Sequence, residues 1–266
     1  FCLRAARAGW RNLHALDTFV LHTGGVSFGA SKSPREQAAM ETMRRLHPSY
    51  ESTVHAFVQA DPAQPYRLAL DVARLKAASL PAVLFVLHDR AGGTLRHTHE
   101  LAQQLQHQAV FLTLVPAPND SVQLKLPSEN EAFALQFRLL DQYDDLLQML
   151  RYLGVRLVHF HHLLGHAPQI KDLPKHLGVP YDFTVHDYYA ICPQISLTDH
   201  TNGYCGEQGP SQCHACLRRS PAPGNVSIEA WRAVHTEFTR NARHVLAPSL
   251  DGALRPHGGH APGPAY

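Results

Sequence analysis

Three clusters rich in histidine follow predicted strands of this chain. They read His88-Asp89-Arg90, His159-Phe160-His161-His162 and His186-Asp187-Tyr188-Tyr189. Imidazoles and carboxylates transfer protons, bind hydroxyl groups and bind metal ions, so such clusters can supply catalytic chemistry. One histidine at a strand end is most often a hydrogen-bonded structural residue. Three clusters at one edge of a sheet are harder to explain in that way, which makes this edge a candidate site.

A glycine pair, Gly92-Gly93, follows the first cluster and precedes a predicted helix. Glycine lets the backbone approach a ligand closely, and the first N–H groups of a helix carry the positive end of its dipole. We therefore expect this turn to suit a phosphate or sugar oxygen. The nicotinamide fingerprint G-x-G-x-x-G is missing after the strand, which argues against a dinucleotide oxidoreductase.

Four of the five cysteines lie in one loop rich in glycine, proline, asparagine and aspartate: Cys192, Cys205, Cys213 and Cys216. The last two have the C-x-x-C spacing that places two thiolates on one tetrahedral zinc ion. We expect the four to hold a structural zinc. Two disulfides, which an intracellular location would disfavour, or four free thiols are the alternatives.

Apolar runs and amphipathic stretches alternate from residue 83 onward. They predict strands at 83–87, 110–115, 122–126, 132–137, 155–160 and 181–185, and helices at 94–107, 143–153 and 169–177. This alternation predicts an α/β fold with a Rossmann-like, mainly parallel sheet. A mostly helical segment precedes it, with predicted helices at 34–46, 50–59 and 65–78 after a short strand at 18–21.

Composition excludes some classes of function. A net charge of +2 in 266 residues, with no basic run, gives no electrostatic case for nucleic acid. No apolar run approaches the roughly 20 residues that cross a bilayer. We expect a cytoplasmic protein, with peripheral attachment at the inner face of the plasma membrane left open. The chain begins at Phe1 as if inside a helix, so we also expect it to be a fragment of a longer protein.

Further motifs accompany the glycine pair in a fixed order. They are Arg96-His97-Thr98-His99-Glu100-Leu101-Ala102, Gly154-Val155-Arg156-Leu157-Val158-His159-Phe160-His161, Gly178-Val179-Pro180-Tyr181-Asp182-Phe183-Thr184-Val185-His186-Asp187-Tyr188, and Val245-Leu246-Ala247-Pro248-Ser249. In this order, residues 81–266 resemble the N-terminal domain of a family 4 glycosyltransferase of GT-B architecture. The resemblance implies that Gly92 and Gly93 lie near the donor phosphates and that His186 lies near the acceptor. We expect Asp187 to act with His186, and His97, His161 and Tyr188 to bind donor or acceptor.

The upstream segment carries a second resemblance. Phe1-Cys2-Leu3-Arg4-Ala5, Ala8-Gly9-Trp10 and Phe19-Val20-Leu21-His22-Thr23-Gly24-Gly25-Val26-Ser27-Phe28-Gly29 resemble the tail of a family 2 glycosyltransferase of GT-A fold. The resemblance implies a divalent cation, Mg²⁺ or Mn²⁺, in the complete domain, with His22 as one of its ligands. His22 as a simple cap of the strand end is an equal alternative. The expected domains are therefore 1–78, the end of the GT-A domain, and 79–266, the acceptor-side GT-B domain.

Together the two resemblances predict part of a glycosyltransferase. It would transfer a sugar from a nucleotide-sugar donor to a growing cell-surface polysaccharide or a lipid-linked glycan. Each half lacks part of its site, so we expect the chain to be inactive alone, with flanking domains of its parent as partners. The alternatives are a metal-dependent hydrolase that uses His159, His161, His186 and Asp187, and a non-catalytic sugar-binding module.

Overall fold

The computed structural model describes residues 1–13, 15, 18, 20–21, 32–127, 133–199, 203–206 and 209–249. By backbone contacts the chain divides into two units, Phe1–Leu70 and Asp71–Tyr266. The division lies inside a helix, whereas the sequence placed the boundary after that helix, between residues 78 and 79. The family identity of each unit stays a prediction.

The first unit is helical. Its elements are α1 (Cys2–Arg7), α2 (Lys32–Leu46), α3 (Tyr50–Ala60) and the start of α4 (Gln64–Ala77). The three helices predicted after residue 33 are thus confirmed to within two residues at each end. Of the predicted strand 18–21, the described residues Thr18, Val20 and Leu21 are not in a strand. His22 lies outside the described residues.

The second unit is built on a mainly parallel sheet, which confirms the predicted fold class. Its strands are β1 (Ala82–Val86), β2 (Val110–Ala117), β3 (Ser121–Lys125), β4 (Ala134–Arg138), β5 (Val155–Phe160), β6 (Tyr181–Thr184) and β7 (His244–Leu246). Within the described residues the strand order is β4-β3-β2-β1-β5-β6-β7. The pairs β2–β3 and β3–β4 are antiparallel, and the other neighbours are parallel.

Helices connect these strands: α5 (Gly93–Gln104), α6 (Tyr143–Tyr152), α7 (Leu173–Leu177), α8 (Pro210–Arg219) and α9 (Ile228–Arg240). The helix predicted at 169–177 is instead a short 3₁₀ helix, Pro168–Asp172, followed by α7. Pro174 lies in the first turn of α7, where its missing N–H is tolerated because first-turn N–H groups lack helical partners. Gly178, in a left-handed conformation with φ 71°, ends the helix.

Strand β1 lies in the middle of the sheet and is the centre of the core. Leu84, Phe85 and Val86 are completely buried, as expected for a strand covered on both faces. The chain adds β2 on one side of β1 and β5 on the other, so the carboxyl ends of β1 and β5 form the switch point where ligands bind in such sheets. No helix in the described ranges is long and apolar enough to cross a membrane.

Candidate functional site

The three histidine-rich clusters meet at the switch point. After β5, the backbone N–H groups of His161 and His162 both donate to the carbonyl of Val86, which joins this end of β5 to the end of β1. The rings of His88 and His162 are 4.8 Å apart between centroids, and those of His161 and His186 are 5.3 Å apart. The parallel strands therefore bring side chains from three distant segments to one edge of the sheet.

His97, His161 and His186 form a compact group. His97, on the second turn of α5, has its ring 5.6 Å from that of His161 and 5.2 Å from that of His186. His161 is buried, His186 is half-buried and His97 is exposed. Because the group extends from the core to the surface, a ligand can reach it from solvent on the His97 side.

The two inner imidazoles of this group are uncharged at neutral pH. Burial lowers the pKa of His186 to about 4, helped by the nearby His97, and burial lowers the pKa of His161 well below its usual range. A neutral imidazole keeps one nitrogen lone pair, which accepts a proton, a hydrogen bond or a metal ion. The pair can therefore act as proton acceptors or as metal ligands, but not as fixed positive charges.

The carboxylate of Asp187 accepts hydrogen bonds from two nearby residues. Its Oδ2 accepts a hydrogen bond from Nε2 of buried His162 at 3.0 Å, and its Oδ1 accepts one from the backbone N–H of Tyr189 at 2.9 Å. The backbone N–H of Leu164 donates to Nδ1 of His162, so the proton of a neutral His162 is on Nε2, facing Asp187. Burial alone would raise the pKa of Asp187, but the hydrogen bond and charge of His162, together with the Tyr189 N–H and the charge of His186, outweigh it, and the pKa is lowered. This geometry gives Asp187 a positioning role, while its predicted catalytic role stays a prediction.

His159 also makes a hydrogen-bonding contact with a neighbouring strand. Its Nε2 lies 2.8 Å from the hydroxyl oxygen of Thr184 on β6, and the side chain is buried. The ring of His159 packs against that of His161, with centroids 4.1 Å apart, but its Nε2 bonds to Thr184, and Asp187 bonds to His162. The ligand atoms of the four residues of the hydrolase hypothesis therefore do not surround one ion position. Only His161 and His186 of that set belong to the compact group.

The glycine turn borders a separate cleft on the other side of α5. Gly92 has φ 144°, a conformation that disfavours any side chain, whereas Gly93 has no such constraint and open space where a Cβ would lie. The cleft measures about 690 Å³, and Gly92 lines it together with Arg90, Arg96 and Lys125 and with the acidic residues Asp89 and Glu100. Nε of Arg96 donates to Oε1 of Glu100 at 2.7 Å, so this arginine is already paired with a carboxylate. Positive side chains beside a helix start suit a phosphate-bearing ligand.

Tyr189 is a tyrosine that contacts the histidine clusters and that the sequence did not single out. Its ring lies 4.6 Å from that of His162, and its carbonyl accepts a hydrogen bond from Nε1 of Trp231 on α9. The backbone N–H of the neighbouring Tyr188 donates to the carbonyl of Ile195. The predicted binding role of Tyr188 stays a prediction.

His166 is a site neighbour that the sequence did not single out. Its Nε2 donates to the carbonyl of Leu87 at 2.9 Å, just beyond β1, so it fastens the loop after β5 to the end of β1. It lies outside both the strands and the three clusters, so no periodic pattern marked it. Burial lowers its pKa to about 4.

The four loop cysteines line one cavity of about 240 Å³. No disulfide joins the described cysteines. Burial raises the pKa of Cys192 and of Cys216, so both are protonated thiols at neutral pH. Among the described residues, only His97, His161 and His186 form a group of three or more ligand atoms close enough to share one ion. The thiols therefore share a cavity wall without forming a zinc-binding arrangement, and the predicted zinc stays a prediction.

Comparisons with protein-family models, with curated proteins and with solved structures found no match. The family of the chain therefore stays a prediction from its motifs.

Proposed function

We propose that the second unit is the acceptor-side half of a glycosyltransferase, which transfers a sugar from a nucleotide-sugar donor to a cell-surface polysaccharide or a lipid-linked glycan. The observation that supports this proposal most directly is the placement of two polar sites on either side of α5. One is the charged cleft beside Gly92, and the other is the group formed by His97, His161 and His186. A phosphate-bearing donor and a hydroxyl-bearing acceptor require two such neighbouring sites.

The chemistry of sugar transfer assigns a task to each site. The diphosphate leaving group gains negative charge, which Arg90, Lys125 and the start of α5 would stabilise. The acceptor hydroxyl is a weak nucleophile, and a neutral imidazole beside it accepts its proton or fixes its orientation. His186, half-buried and uncharged at neutral pH, is the residue we assign to that task.

In the GT-B architecture that the sequence resembles, a second Rossmann-like domain supplies most contacts to the donor. The described residues of this chain form one such sheet. We therefore expect the 266-residue chain to bind nucleotide sugars and acceptor glycans weakly and to show no turnover alone. The first unit, with its predicted Mg²⁺ or Mn²⁺ requirement, would belong to a second transferase of GT-A fold.

Ligand binding by the purified chain tests the proposal. Saturation-transfer NMR with a panel of nucleotide sugars and oligosaccharides should detect at least one member of each class. Gly93→Ala should weaken nucleotide-sugar binding, because its methyl group would occupy the open space beside the turn. Gly209→Ala is the matched control, since a Cβ there meets only the Gln212 side chain, at an ordinary 3.6 Å. Absence of binding to both panels would count against the proposal.

A further inference from the structure

The nitrogen atoms of the compact histidine group are spaced like the ligands of a metal ion. One ligand atom from each of His97, His161 and His186 lies within 4.8 Å of the others. The closest pair, Nδ1 of His161 and Nε2 of His186, is 3.0 Å apart. Two nitrogens bound to one tetrahedral zinc ion at 2.0–2.1 Å lie about 3.3 Å apart, so this pair needs little movement to hold an ion.

The inner histidine of the group is fixed and incompletely bonded. His161 is 1% exposed, and its ring packs edge-on against Phe85 with centroids 4.9 Å apart. Its Nε2 has no hydrogen-bond partner among the described residues. The orientation of this buried imidazole is set by its packing against Phe85 and by the hydrogen bond between its Nδ1 and Nε2 of His186.

The three residues come from rigid elements. His161 follows β5, His186 follows β6, and His97 is on α5, so the positions of all three depend on the sheet and its covering helix. Nearby Asp187 is bound to His162 and does not offer a carboxylate oxygen to the group. A site of three imidazoles without carboxylates suits zinc and neighbouring transition metals, and does not suit Mg²⁺ or Ca²⁺, which prefer oxygen ligands.

We propose that His97, His161 and His186 bind one divalent transition-metal ion of the zinc class. Three protein ligands leave the fourth tetrahedral position open, and because His97 is exposed, that position is reached from solvent. Nδ1 of His161 and Nε2 of His186 share a hydrogen bond when no ion is bound, so the hydrogen between them has to leave when the ion binds. The site goes beyond the proposed sugar transfer, which needs no metal in this unit: an ion on Nε2 of His186 would occupy its lone pair, so the proton-accepting role proposed for His186 belongs to the ion-free protein.

Cobalt titration tests the site without any sugar substrate. Co²⁺ is added to metal-free protein that carries Cys213→Ser and Cys216→Ser, so that the loop thiols do not compete. Visible absorption and equilibrium dialysis should show one Co²⁺ per chain, without sulfur-to-cobalt charge-transfer bands, and Zn²⁺ should displace it.

Two variants on one helix supply the decisive comparison. His97→Ala should weaken Co²⁺ binding by about tenfold or more, while His99→Ala, two residues along α5, should leave it unchanged. His97 is exposed, so its replacement is compatible with folding, and the melting temperature provides a second measurement. Co²⁺ should raise the melting temperature of the parent protein but not that of His97→Ala. Equal affinity in the two variants, or no saturable binding to the parent protein, would overturn the proposal.

Discussion

Nδ1 of His161 and Nε2 of His186 lie 3.0 Å apart, although 25 residues separate them along the chain. The parallel register of β5 and β6, which pairs Phe160 with Phe183, brings the residues after both strands to the same edge. The sheet therefore determines the distance between the two imidazoles. Any chemistry at this edge depends on that register as much as on the side chains.

His186→Ala should reduce sugar transfer when the residue is changed in the natural polypeptide. A residue that accepts a proton or orients the acceptor contributes about 10²–10⁴ in rate, and His186 is only half-buried, so the fold should survive its loss. Initial rates at saturating donor measure the effect, and circular dichroism checks the fold. His107→Ala, at an exposed position away from both sites, serves as the control. Unchanged transfer in His186→Ala would remove this residue from the mechanism.

Asp187→Asn should destabilise the fold by about 1–3 kcal/mol, because it leaves a buried donor unpaired. His162 Nε2 donates to one carboxylate oxygen of Asp187, and the N–H of Tyr189 donates to the other. The amide of asparagine has a single acceptor oxygen, so its NH₂ group would face one of these two donors. His162 cannot reverse its tautomer, since its Nδ1 already accepts from Leu164.

Chemical denaturation in urea measures the free energy of unfolding of Asp187→Asn. Asp141→Asn is the control, because Asp141 makes an exposed ion pair with Arg138 whose loss should matter much less. Equal stability of the two variants would contradict a positioning role for Asp187.

Strands β1 to β6 and helices α5 to α7 could be predicted because local signals mark them, whereas α8 and β7 were not predicted. Gly154 and Gly178 end helices immediately before β5 and near β6, and β5 was predicted with its observed bounds, Val155–Phe160. The clustering of histidines at one edge followed from the parallel order of these strands. That part of the site required no knowledge of side-chain contacts.

The pairing of side chains at this edge could not be predicted. Whether Asp187 faces His162 or His186 depends on a tautomer fixed by Leu164, and sequence spacing says nothing about that bond. Helix α9 was also missed, although Ser227 caps it by accepting a hydrogen bond from the N–H of Ala230. The segment before it is rich in glycine and proline, which indicate a loop, so the capping signal at Ser227 was not recognised. Trp231 then contacts Tyr189 across 42 residues, a contact that no periodic pattern contains.

Purified protein should carry one zinc ion on the loop cysteines if the C-x-x-C prediction is right. Binding would require the thiols around the 240 Å³ cavity to move closer together and to lose their protons. Elemental analysis of protein with His97→Ala, which excludes the histidine group, should give about one zinc per chain.

Adding Cys213→Ser and Cys216→Ser to that protein should abolish the zinc and increase proteolysis between residues 203 and 209. Cys2→Ser is the matched control, since Cys2 is exposed on α1 and far from this loop in sequence. Metal-free protein with four readily alkylated loop thiols would contradict the prediction.

Acid should destabilise the second unit through His166. Its Nε2 donates to the carbonyl of Leu87, and its buried Nδ1 has no partner among the described residues, so protonation would place an unpaired N–H in the core. Burial, with smaller effects of His162 and His88, lowers its pKa to about 4 from 6.5. The unfolded chain binds the proton first, so stability is complete above pH 6.5 and falls as the pH drops toward 4, by about 3 kcal/mol in all.

The variant His166→Gln tests this, because its amide can still donate to the carbonyl of Leu87. Between pH 4 and 6.5, the slope of its unfolding free energy against pH should be smaller than that of the parent protein by the equivalent of about one proton. His107→Gln, at an exposed position, should leave that slope unchanged. A slope in His166→Gln equal to that of the parent protein would show that other buried groups cause the acid sensitivity.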